Sequence, residues 1–71
     1  MYFERLGELR KEHALKQKDV AKLLGLAPTV YSRYERGEQD IPINCLQTLS
    51  KCYDVSIDYI VGRTDSRAKI I

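Results

Sequence analysis

The stretch QKDVAKLLGLAPTVYSRYERG, residues 17 to 37, holds two short helical periods divided by a stop signal. Val20, Ala21 and Leu24 fall on one face and Lys18, Asp19 and Lys22 on the other, so residues 17–24 read as an amphipathic helix. Gly25 offers the left-handed residue that commonly ends such a helix. Pro28 suits the first position of a second helix, where its missing N–H has no intrahelical partner to lose, and Gly37 stops that helix after residue 36. The spacing from Gln17 through Ala21, Gly25, Tyr31 and Glu35 to Gly37 has a geometric meaning. A small residue at Ala21 lets the two helices approach, Gly25 permits a sharp turn, and the body of Tyr31 plugs the angle between them. On the second helix Tyr31, Tyr34 and Glu35 point back, while Thr29, Ser32, Arg33 and Arg36 form the outer stripe. That stripe holds two hydroxyls, two guanidinium groups and no carboxylate, a combination suited to phosphates and base edges.

Outward from this pair, Phe3, Leu6 and Leu9 recur between charged residues, which predicts a helix over residues 2–13. Residues 37–42 read as a polar loop, and Leu46, Leu49 and Tyr53 mark a helix over 43–53. Ser56 is placed to accept an N–H bond at the start of a last short helix that Gly62 ends, with Ile57, Ile60 and Val61 inward. The expectation is an all-α, compact five-helix domain over residues 1–62, followed by a frayed or partner-dependent tail over 63–71. Arg10 and Glu35 both lie on inward faces, which predicts an ion pair between them.

The composition favours a binding module. Seventy-one residues, 44% of them hydrophobic, suffice for one modest core, and a deep water-excluding pocket is hard to wall off at this size. The formal net charge of +2 is mild, but residues 10 to 36 carry seven Lys or Arg against three Asp or Glu. Cys45 and Cys52, seven apart on one predicted helix, would lie about 10 Å apart and are read as free thiols. With His13 as the sole histidine and no C-x-x-C, neither a metal nor another cofactor is expected. Asp54 and Asp58 read as helix-start carboxylates, and no nucleophile and base arrangement suggests an enzyme. No apolar run approaches the length of a membrane span and no leader pattern opens the chain, so the expected location is the cytoplasm.

The ordered series Leu6, Leu9, Arg10, Gln17, Val20, Ala21, Leu24, Gly25, Tyr31-Ser-Arg-Tyr-Glu-Arg-Gly37, Ile41-Pro42 and Leu49 through Ile60 resembles the phage repressor and Cro-like (XRE-type) helix-turn-helix family. The resemblance covers about residues 3 to 62 and implies a lambda-repressor-like DNA-binding domain whose second motif helix enters the major groove. It implies the same Arg10 to Glu35 pairing and a usually dimeric transcription regulator, a repressor or an activator, with repressor as the expectation for this chain. Carried over by position, Thr29 and Arg33 face base edges; Arg33 suits guanine O6 and N7 or, alternatively, a phosphate. Val30 suits a thymine methyl or a partly buried packing role. Gln17, at a helix start, matches a phosphate contact, and Lys16, Lys18, Ser32 and Arg36 are further phosphate candidates.

Some positions depart from the family pattern. Lys16 and Ala27 supply no side-chain acceptor for their helix starts, and Ala14 stands where Gly or Asn commonly ends the first helix. The expected partner is double-stranded DNA bearing an inverted repeat, read by a homodimer, because one short helix contacts only about four or five base pairs. Tyr59, Ile70 and Ile71 are the dimer candidates, with intrachain packing or simple disorder as their other reading. The alternatives from another class are a protein-interaction module or an antitoxin-type partner on the same fold.

Overall fold

Residues 2–68 are described by the computed structural model, which holds five helices and, among the described residues, no strand. They are α1 (Glu4–Glu12), α2 (Gln17–Leu24), α3 (Pro28–Arg36), α4 (Ile43–Tyr53) and α5 (Ile57–Ile60). Two of the starts and two of the stops follow local chemistry directly. Gly25 and Gly37 adopt φ of 71° and 74° at the ends of α2 and α3, and Pro28 opens α3. Ser56 accepts the Tyr59 N–H at 3.0 Å and so caps α5. The first helix differs: Phe3 is extended, with φ of −112°, and α1 begins at Glu4 instead of residue 2.

The inward stripes of all five helices meet in one core. Leu6 and Leu9 of α1, Val20 and Ala21 of α2, Tyr31 and Tyr34 of α3, Leu49 and Tyr53 of α4 and Ile60 of α5 are all buried. Full burial of one aliphatic side chain contributes about 1.5–3 kcal/mol, so this shared core is the main favourable contribution to ordering the chain. α2 packs on α3, α1 on both α3 and α5, and α4 on α5. Between the last two helices Asp54 takes a left-handed φ of 54°, and the buried Ser50 hydroxyl donates to the Val55 carbonyl at 2.5 Å.

The segment after α5 departs from the frayed tail that its polar sequence suggests. Arg5 of α1 donates from Nη1 to the carbonyls of Tyr59 and Thr64, at 2.8 and 2.5 Å, and from Nη2 to Asp65 at 2.7 Å. Arg67 forms a two-pronged pair with Glu12, at 2.6 and 2.9 Å, and its carbonyl accepts the Ser56 N–H. Residues 63–68 therefore lie back against α1 and α5. Charged hydrogen bonds hold this segment, and no apolar periodicity announces them.

Candidate nucleic-acid interface

Helix α3 can present a polar face because its opposite face is fixed by aromatic burial. Tyr31 is 0% exposed and Tyr34 5%, which sets the rotation of the helix and leaves Thr29, Ser32, Arg33 and Arg36 on the far side. Those four line a shallow depression of about 360 Å³ together with Gln17 and Pro28. Thr29 and Arg33 are exposed; Val30 is half-buried and packs against the core, so its packing reading holds in the free chain. Lys16 and Lys18 are exposed beside the start of α2.

A single carboxylate ties three helices beneath this face. Glu35 accepts from Arg10 Nε at 2.7 Å and Nη2 at 3.3 Å, and from Gln17 Nε2 at 3.1 Å. The Arg10 and Glu35 side chains retain 13% and 9% of their exposure. Burial acts to raise the Glu35 carboxyl, but Arg10, then Tyr31 and Gln17, outweigh it and hold the group below its ordinary value. Arg10 also donates to the Leu15 carbonyl at 2.9 Å, which fixes the turn between α1 and α2. Gln17 thus has an anchor that the expectation of a phosphate contact does not suggest; one N–H of its carboxamide is engaged and the other remains.

Below the carboxylate, the buried Tyr31 and Tyr53 hydroxyls have no well-formed hydrogen bond among the described residues. Burial, and after it the neighbouring Glu35, pushes the Tyr31 hydroxyl far above its usual value; burial pushes Tyr53 up to about 12.

The helix starts also match their chemistry. No side chain of residue 16 or 27 caps α2 or α3, and Asp19 instead accepts the Lys16 N–H at 2.9 Å. Ser32 and Arg36, both read from sequence as phosphate ligands, are hydrogen bonded to each other, and Arg36 is also paired with Glu38. Glu38 is the residue of this face that sequence reasoning missed. The Gly37 turn carries it back toward Arg36, and a residue beyond a helix stop has no place in a helical stripe.

The dimer candidates fare differently. Tyr59 is half-buried, with the Arg5 guanidinium 4.0 Å from its ring centroid and that of Arg67 at 5.1 Å. Its ring is thus partly covered within the chain. Ile70 and Ile71 lie outside the described residues.

Two crossed short helices, a glycine turn between them and a polar outer stripe on the second are matched by a helix-turn-helix family model over residues 6–60. The chain belongs to the helix-turn-helix family. The resemblance to phage repressor and Cro-like domains is thereby borne out, as is the all-α fold. The chain is 43% identical over 65 residues to the uncharacterized HTH-type transcriptional regulator YobD of Bacillus subtilis, covering 92% of this chain and 58% of that protein. It is 35% identical over 66 residues to the HTH-type transcriptional regulator ImmR of the same organism, covering 93% and 52%. Against the cryptic phage CTXphi transcriptional repressor RstR of Vibrio cholerae the identity is 30% over 66 residues, covering 93% and 60%. A crystal structure of a transcriptional regulator from Listeria innocua superposes with a TM-score of 0.81 at 35% identity, covering 87% of this chain and 58% of that one. The helix-turn-helix chain thus spans between half and three-fifths of the length of these relatives. No helix among the described residues is long and apolar enough to cross a membrane.

Proposed function

We propose that this helix-turn-helix chain reads double-stranded DNA in a sequence-specific manner and acts as a transcription regulator, in the repressor sense. The observation that carries the reading is the outer face of α3: four polar side chains held outward by two buried tyrosines, in one depression with Gln17. In this reading Thr29, Val30 and Arg33 face base edges in the major groove, and Lys16, Gln17 and Lys18 hold the phosphate backbone. The starts of α2 and α3, uncapped by their own N-cap side chains, add N–H groups to that backbone contact. The protein works without a cofactor, in the cytoplasm, and not as an enzyme. Two copies bind an inverted repeat with their α3 helices about 34 Å apart, one turn of the duplex. A protein-interaction role would call for apolar area over α3. Among the described residues the large exposed apolar side chains are Leu23 of α2, Ile43 of α4 and Tyr2, which precedes α1 and lies against Gly37; none belongs to α3 itself.

The test is selection of bound sequences from a random duplex pool at two salt concentrations. An enriched inverted repeat, with affinity falling steeply as salt rises, is the expected result. A pool that stays at its input composition in both conditions would remove the reading.

A further inference from the structure

The end of α3 carries a three-residue unit on the proposed DNA face. Arg36 Nη1 donates to Ser32 Oγ at 2.7 Å, while Nε and Nη2 donate to the two carboxylate oxygens of Glu38, the latter at 3.4 Å. The turn chemistry sets this up. Gly37 is left-handed, and the Glu38 N–H bonds back to the Arg33 carbonyl at 3.0 Å, which returns residue 38 to the side of its own helix. The Arg36 and Glu38 side chains are 54% and 55% exposed, so the pair is made in the open, at the rim of the depression that holds Thr29, Arg33 and Gln17.

A guanidinium fork matches carboxylate and phosphate in the same bidentate way, and a phosphate must therefore displace Glu38 to gain Arg36. The positive charge is already offset. Arg36 offers only donors, so Ser32 Oγ accepts from it and the Ser32 hydroxyl proton is left to donate outward. Acceptors on DNA that fit such a donor are a phosphate oxygen, guanine N7 or O6, adenine N7 and thymine O4.

We propose that Glu38 withholds Arg36 from the DNA backbone, so that Arg36 acts as a positioning residue for Ser32 and Glu38 sets the strength and salt dependence of binding. This rests on the DNA-binding reading above. It assigns a negative determinant of affinity to a residue just past the helix stop.

The test uses the full 71-residue chain and three variants, Glu38→Gln, Arg36→Ala and the double substitution, with circular dichroism to verify the fold of each. Binding to a labelled duplex taken from the selected pool is titrated between about 50 and 200 mM KCl, where phosphate contacts register as the slope of log K against log salt. Wild type and Arg36→Ala should share one slope. Glu38→Gln should bind about tenfold tighter at 0.1 M salt, with a slope steeper by about one unit, and the double variant should lose both gains. A slope flattened by about one unit in Arg36→Ala alone would show Arg36 already on a phosphate and overturn the proposal. A gain from Glu38→Gln that persists without Arg36 would reduce Glu38 to plain repulsion and overturn it too. Binding by none of the four proteins would bring down the DNA reading together with this one, an outcome distinct from either slope result.

Discussion

Gly7 of α1 lies directly under the Glu35 carboxylate of α3: a Cβ at position 7 would sit 3.3 Å from Oε1. A glycine inside a helix ordinarily costs about 1 kcal/mol relative to alanine. Here the neighbour cannot easily give way, because Arg10 and Gln17 pin it from two other directions. Gly7→Ala is therefore expected to yield no net stabilisation and to loosen the Arg10 pair. Urea unfolding showing the full gain of about 1 kcal/mol would contradict this.

The pair itself should respond to acid. Glu35 has its folded pKa depressed, so its contribution is complete above its unfolded value, about 4.3, and is lost as pH falls through the lower folded value. Glu35→Gln leaves Arg10 buried without a counter-charge and should cost about 3 kcal/mol at pH 7. That difference from wild type should narrow at pH 3. Unfolding midpoints for both proteins at the two pH values provide the check, and a constant difference would count against the pair as the cause.

Ala14 ends the turn after α1 with a left-handed φ of 56°. An alanine pays about 1–2 kcal/mol for that conformation, part of which glycine returns as unfolded-state entropy. Ala14→Gly should raise stability by about 0.5–1 kcal/mol, measured as a shift in denaturant midpoint without a change in slope.

On DNA, Arg33→Ala and Lys18→Ala should part company. Loss of a base contact relaxes preference at one position of the site by about 1–3 kcal/mol of discrimination, whereas loss of a phosphate contact lowers affinity for every sequence. A selected-site profile unchanged by Arg33→Ala would move Arg33 to the backbone and leave Thr29 and Val30 as the readers.

Arg5→Ala should destabilise the fold by about 1.5–3 kcal/mol, since a charged, largely buried group loses two carbonyls and a carboxylate together. Arg67→Ala, whose pair with Glu12 is open to solvent, should do less, and its effect should fade in high salt. Equal losses at both positions would refute this ranking.

The central helices were legible because their punctuation is local: Gly25, Pro28 and Gly37 act on the residues beside them, and Tyr31 and Tyr34 fix the rotation of α3 through simple periodicity. The Arg10 and Glu35 pairing was legible for a related reason, as two charges on faces that otherwise hold apolar residues. Arg5 carries no such mark. It looks like any surface arginine of an amphipathic helix, and its partners at 59, 64 and 65 declare themselves only once α5 packs on α1. Sequence leaves Tyr59 open between a second copy and intrachain packing because nothing local predicts two guanidinium groups over its ring. Glu38 carries no signal in the sequence because a loop residue declares the turn it permits, not the direction its side chain takes.

The contacts of Arg5 and Glu12 with residues 59 to 67 span 54 to 60 positions of the chain. A ribosome delivers α1 well before those partners, so a nascent chain holds one flank of α1 unanswered until α5 and the residues after it have emerged. Completion of the domain is thereby linked to emergence of residues 59–67 from the exit tunnel, and a message truncated shortly after α5 would yield a chain whose α3 is present but whose α1 is unfastened.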